Sequence, residues 1–212
     1  MKKSLLILIV LIALSAFKAN SQIDTTKTFD LLSDLEATIT DTVKLLPDHF
    51  LFTQRIFWGE RGLMRNFKSF ELTPEERQKE LKIRRGMLVA HQVGGFTTMG
   101  LMIAQGFVGS SLYKGNYDKK DLHEGLAAAI NIGYFTTASL SLLAPPKMLD
   151  ERKGYSSIKL HKALAIIHLS GMIATNVLAA QLESNPDLKP YHRAAAFTTF
   201  GAFAASMIVI KF

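Results

Sequence analysis

The chain has 212 residues, 48% of them hydrophobic, with 25 lysines and arginines against 18 acidic residues and no cysteine. The missing thiols exclude disulfides, iron–sulfur clusters, thiolate metal sites and Cys-linked haem, so histidine or carboxylate must hold any cofactor. The formal net charge of +7 is spread over connectors and lacks the aromatic-interleaved basic stripe of a nucleic-acid binder, so no nucleic-acid partner is expected and membrane lipid headgroups are its better counterpart.

Residues 1–21 read as a signal peptide. Lys2 and Lys3 precede an apolar run from Leu5 to Phe17, and small residues Ala19 and Ser21 lead to an expected cleavage before Gln22. Residues 22–83 read as a helical extramembrane segment. Within 29–46, Leu31, Leu32, Leu35, Ile39, Val43 and Leu46 fall near one face of an amphipathic helix, which Pro47 ends. Residues 46–67 are aromatic and basic and hold the single tryptophan, Trp58, a composition suited to a lipid interface or to a small packed core. Thr73-Pro74-Glu75-Glu76 is a helix start, with threonine as N-cap, proline at the first position and glutamate at the third. The helix it opens should run through Arg84 and Arg85 straight into the apolar block beyond.

No charged residue occurs in 86–113, 125–146, 163–182 or 194–210. Each block approaches or exceeds the roughly 20 residues an α-helix needs to cross hydrocarbon, and none alternates as barrel strands do. The links at 113–121, 145–157 and 184–190 are short and turn-rich, which favours antiparallel neighbours. The expected fold class is all-α: an integral membrane up-down four-helix bundle over residues 84–212, behind an N-terminal helical soluble segment. The leader delivers residues 22–83 to the outer, periplasmic side of a bacterial-type inner membrane. The lysine and arginine count of the flanks points the other way, but a translocated leader decides the fate of the following segment more directly.

Of the six histidines, His49 lies outside any span, whereas His91, His123, His161, His168 and His192 lie in or beside spans. An ionisable group inside a membrane is costly enough to read as functional by default, although a single histidine can also simply bridge two helices by a hydrogen bond. Spacing sharpens the choice. His91 follows Arg85 by six residues and His168 follows Lys162 by six, so both stand about 9 Å beyond a flanking charge on parallel spans. His123 and His192 share a depth at the opposite face. Two same-depth pairs on alternate helices, His91 with His168 and His123 with His192, are what bis-histidine ligation of two haems requires.

The phrases HQVGGFTTMG (91–100) and HRAAAFTTFG (192–201) repeat a pattern around such histidines. Gly94, Gly171 and Ala195 lie one turn beyond a histidine, leaving room for a flat macrocycle, and Thr98, Thr175 and Thr199 lie two turns beyond, able to bond their own helix or a cofactor edge. His123 departs from the pattern, with Leu126 and Ile130 at those positions. Phe96, Phe135 and Phe197 read equally well as core. His161 shares a face with His168 and is an alternative ligand; with Lys159 and Lys162 it also suits reception of an anionic or quinone-like donor, or of lipid phosphates.

KLHKALAIIHLSGM (159–172) and YHRAAAFTTFGAF (191–203) resemble the histidine-bearing core helices of cytochrome b561 proteins and related bacterial di-haem cytochromes b. The likeness covers residues 84–212. It implies transmembrane electron transfer through two non-covalent b-type haems, ligated here by His91 with His168 and His123 with His192. Such a protein is an electron carrier, and an enzyme only if a substrate is oxidised at its edge. The redox donor and acceptor, quinone-like or protein, stay open, as does assembly into a homo-oligomer. The competing reading is a non-redox membrane subunit, a proton or ion carrier component or an assembly partner, whose histidines pack or relay protons. It would want carboxylates in the spans, and only Glu124 stands at an entrance.

Overall fold

The computed structural model describes residues 44–148 and 154–211. The expected leader and most of the amphipathic 29–46 segment lie outside these residues. Lys44 to Leu46 are described and are not helical.

Among the described residues the structure is all-helical. A short helix α1 (Phe52–Trp58) and two 3-10 turns (Leu63–Asn66, Lys68–Phe70) precede four long helices: α2 (Pro74–Tyr113), α3 (Lys120–Leu142), α4 (Ser157–Gln181) and α5 (Lys189–Lys211). The expected start of α2 forms as read: Thr73 caps it by accepting a hydrogen bond from the Glu76 N–H at 3.3 Å, and Pro74 occupies the first turn, where a missing N–H costs nothing. Ser156 caps α4 in the same way, accepting from the Lys159 N–H at 3.2 Å. The 40 residues of α2 span about 60 Å and the 23 of α3 about 34 Å, so α2 outruns its partner at the amino-terminal end.

All four long helices are long and apolar enough to cross a membrane. They form two antiparallel hairpins, α2 with α3 and α4 with α5, each closely packed along its length; the hairpins meet each other far more sparsely, α2 against α5. Glycine and threonine set the close approach within each hairpin. A Cβ on Gly94 would come 2.3 Å from Thr137 Oγ1, and reciprocally one on Gly133 would come 3.0 Å from Thr98 Oγ1. In the second hairpin a Cβ on Gly171 would meet Thr199 Oγ1 at 2.3 Å. Small residues let the backbones approach, and the facing hydroxyl fills the space.

The side chains are sorted opposite to those of a water-soluble bundle. Phe107 is 76% exposed and Ile132 71%, whereas Thr98 is 0% exposed and Thr199 1%. The interior joins an apolar cluster of Met102, Ile130, Tyr134, Met172 and Phe203 to polar pairs such as Asn131 and Asn176, whose amides exchange hydrogen bonds of 3.0 and 2.8 Å. Phe96, Phe135 and Phe197, which the sequence left open as core, face outward.

A cap closes the bundle where α3 ends. The last carbonyls of a helix have no partner of their own, and here side chains supply the donors. Thr53 Oγ1 donates to Leu142 O at 2.6 Å, Trp58 Nε1 to Leu143 O at 2.8 Å and Gln54 Nε2 to Ala144 O at 3.0 Å. From α2, Arg84 donates to Pro145 O at 2.6 Å and Arg77 to Pro146 O at 3.0 Å. Beneath them the buried Glu80 carboxylate is gripped by both Arg65 and Arg77.

Candidate cofactor site

Four of the five bundle histidines form two facing pairs. His91 of α2 opposes His161 of α4 with ring centres 6.3 Å apart and planes at 82°; His123 of α3 opposes His192 of α5 at 6.4 Å and 71°. Each pair joins two parallel helices across the seam between the hairpins, where the backbones approach least.

The ring nitrogens are organised by the neighbouring helix. His91 Nδ1 lies 2.8 Å from Thr137 O, His161 Nδ1 2.9 Å from Ser206 O, and His192 Nδ1 3.0 Å from Thr175 O. A carbonyl can only accept, so in each case Nδ1 carries the proton and Nε2 keeps its lone pair. That is the outer-shell arrangement found behind metal-binding imidazoles. His123 is held differently. Gln105 donates its side-chain amide to the His123 carbonyl at 3.0 Å and reaches the ring Nε2 only at 3.5 Å, while His123 Nδ1 is buried with no hydrogen-bond partner. A Cβ on Gly109 would come 2.9 Å from the His123 ring, so this glycine gives the imidazole its place.

The regularity has a sequence cause that the phrases at 91 and 192 conceal. With a shift of 69 to 70 residues the second hairpin repeats the first: Met-Ile-Ala at 102–104 recurs at 172–174, and Asn-x-Asp-x-Lys-x-x-His at 116–123 recurs at 185–192. In this register His91 matches His161 and His123 matches His192. The groups behind them match as well, Thr137 with Ser206 and Gln105 with Thr175. In every helix the histidine stands 14 residues from the position that serves its hairpin partner, which sets the two levels about 21 Å apart.

The ring that faces His91 is that of His161, where the sequence paired His91 with His168. His168 Nδ1 lies 2.6 Å from the Tyr134 hydroxyl, and its ring packs edge-on to Tyr134 and Phe203 in the bundle centre. Flanking charges mislead as depth markers here because Arg85 and Lys162 are not register mates: the repeat sets Arg85 against Tyr155 and Lys162 against Gln92. The expected pairing of His123 with His192 is the one the helices bring together. Gly94 and Gly171 do not leave open room, since Thr137 and Thr199 occupy it. Thr175 and Thr199 bond back to Gly171 O and Ala195 O, both at 2.8 Å, and Thr98 Oγ1 is buried without a partner. Lys159 donates to Gly154 O at 2.7 Å beside His161.

Among the described residues no group of three or more histidine, aspartate or glutamate side chains converges to hold a bare metal ion. Two imidazoles per level are too few for the tetrahedral sites that zinc prefers, but sufficient where a macrocycle supplies the remaining ligands. The spacing fits as well. A metal–imidazole bond is about 2.0 Å and the nitrogen stands about 1.1 Å from the ring centre, so two rings gripping one metal hold their centres about 6.2 Å apart. Comparison with protein-family models, with curated proteins and with solved structures finds no match to this chain.

Proposed function

We propose that the chain is an integral membrane protein that carries electrons through two bis-histidine b-type haems, one between His91 and His161 and the other between His123 and His192, in the manner of cytochrome b561 proteins. One observation carries the reading: two imidazole pairs, repeat-related, at 6.3 and 6.4 Å between ring centres, with Nδ1 engaged by a backbone carbonyl in three of the four rings. A haem bound there supplies a one-electron couple at an iron whose two axial positions are filled, closed to oxygen and substrate. The chain's own part is to fix the tautomers of His91, His161 and His192 through backbone carbonyls and to hold two sites at two depths.

Membrane insertion is supported by the sorting of side chains. Lipid favours hydrocarbon outside and satisfied polar groups within, the pattern of Phe107 and Ile132 against Thr199 and Asn131. The bilayer in question is a bacterial-type inner membrane, with the cap on its outer side. A quinone-like molecule or a redox protein serves as donor and acceptor.

Purification in detergent from cells supplied with haem tests the reading. A reduced-minus-oxidised difference spectrum of b-type haem, at about two haems per chain, is expected. His161→Ala and His123→Ala should each remove one haem and the double variant both, whereas His168→Ala should keep two. A colourless wild-type preparation sinks the proposal, and loss of a haem from His168→Ala with retention in His161→Ala restores the other pairing.

A further inference from the structure

α1 lies across the end of α3, holding its last carbonyls through Thr53, Gln54 and Trp58. The 23-residue α3 is about as long as the hydrocarbon layer is thick. If α3 spans the bilayer, α1 is fixed at the boundary between acyl chains and headgroups. This step rests on the membrane reading above.

At that depth α1 is two-faced. Gln54 and Trp58, four residues apart, point into the cap and are buried. The other side presents Phe52, 75% exposed, with Ile56 one turn on and Leu51 beside them. The chain continues with exposed Leu63 and Phe67. Arg55, Arg61 and Lys68 are exposed among these apolar groups, with Glu60 as the one acidic residue in 51–68. Exposed aromatic and aliphatic side chains flanked by cations fit the headgroup layer of an anionic bilayer, which accepts both hydrocarbon and positive charge. A water-facing cap would have no use for this surface.

We propose that residues 51–68 form a membrane-surface element: Phe52 and Ile56, continued by Leu63 and Phe67, insert beside the bundle at headgroup depth, and Arg55, Arg61 and Lys68 meet lipid phosphates. The cap is thereby moored to the bilayer on one side and to the end of α3 on the other.

The chain has no native cysteine, so single-cysteine variants give clean reporters. Spin labels on Phe52→Cys, Ile56→Cys and Phe67→Cys are compared with Ile132→Cys on the outer face of α3 and Glu60→Cys on the cap, in full-length protein in nanodiscs containing phosphatidylglycerol. Collision with oxygen, which concentrates in lipid, is measured against collision with a water-soluble nickel chelate. Positions 52, 56 and 67 should favour oxygen more than position 60 and less than position 132. Replacing Arg55, Arg61 and Lys68 together by glutamine should shift the 52 label towards water. The proposal is overturned if 52 and 56 match 60 while 132 reports lipid. It is overturned equally if they are shielded from both reagents, because protein then covers them, residues before Lys44 included. If 132 itself reports water, membrane insertion has failed and this inference with it.

Discussion

The two histidine levels are built from the same repeated hairpin but braced by different means. At the level of His91 and His161 both rings donate to backbone carbonyls, and beyond them the cap, with its buried arginines and Glu80, clasps the end of α3. At the level of His123 and His192 only His192 has a backbone acceptor; His123 leans on the Gln105 side chain and the missing Cβ of Gly109, and the helices are joined beyond by the short 3-10 turns Tyr117–Lys119 and Pro186–Leu188. A backbone carbonyl cannot be removed by mutation, whereas a side-chain amide can. Short of replacing the histidines themselves, the second level should therefore yield to single substitutions that the first resists, and the first should yield when the cap or the hairpin packing is broken.

The cap offers the largest effect. Glu80 is 0% exposed between Arg65 and Arg77, and removing one partner from a buried charge group strands the others at a cost of about 3–5 kcal/mol. Glu80→Gln should loosen the cap, lower the thermal midpoint and expose the 44–73 segment to protease; on the haem reading proposed above, the level of His91 and His161 should lose haem before the other. Next comes the hairpin packing. Gly94→Ala drives a methyl into Thr137 Oγ1 and should destabilise by about 1–3 kcal/mol, whereas Gly95→Ala, with no neighbour within 4 Å, should stay within about 0.5 kcal/mol of wild type. Unfolding in a detergent series checks both. Adding Thr137→Ala should recover most of the Gly94→Ala loss, because the clashing atom is gone. A smaller, level-specific effect is expected of Gln105→Leu. Gln105 steadies the turn of α3 that carries the ring by donating to the His123 carbonyl, so on the haem reading a haem titration should show the second site weakened and the first unchanged.

How much of this was legible beforehand depended on which local rule governed each residue. The start of α2 follows from Thr73 and Pro74, whose capping chemistry is local, and the four long apolar helices follow from uncharged blocks that approach or exceed about 20 residues. The His123–His192 pair was also readable, because both residues sit just inside their helix entrances. His161 stands in the sequence only as an alternative to His168, because the charges that mark depth there, Arg85 and Lys162, are not register mates. The 69-to-70-residue repeat would have found it, since His91 and His161 occupy one register. It was masked by the more conspicuous likeness of 91–100 to 192–201, which joins helices of different hairpins. Gly109 and the carbonyls of Thr137, Thr175 and Ser206 were beyond sequence reasoning: a backbone acceptor has no residue signature, and a glycine beside a histidine ring looks like any other small residue in an apolar helix.

The mildest test concerns how the open level is finished. Arg193 follows His192, and its guanidinium lies 4.5 Å from the Tyr113 ring centre at the end of α2 and 5.6 Å from that of Phe197 on its own helix. It thus ties the second hairpin to the first at the end that lacks a cap. A cation over an aromatic face contributes about 0.5–1 kcal/mol at an exposed site, far less than the buried carboxylate at the other end. Arg193→Gln removes the charge while keeping length and polarity, and Tyr113→Leu removes the ring. Each should cost no more than that amount, and the double variant should cost about as much as either alone, because both delete one shared contact. Costs that simply add would mean that the stacking carries no coupling, and that the open end is held by its two helix turns and the α2–α5 packing alone.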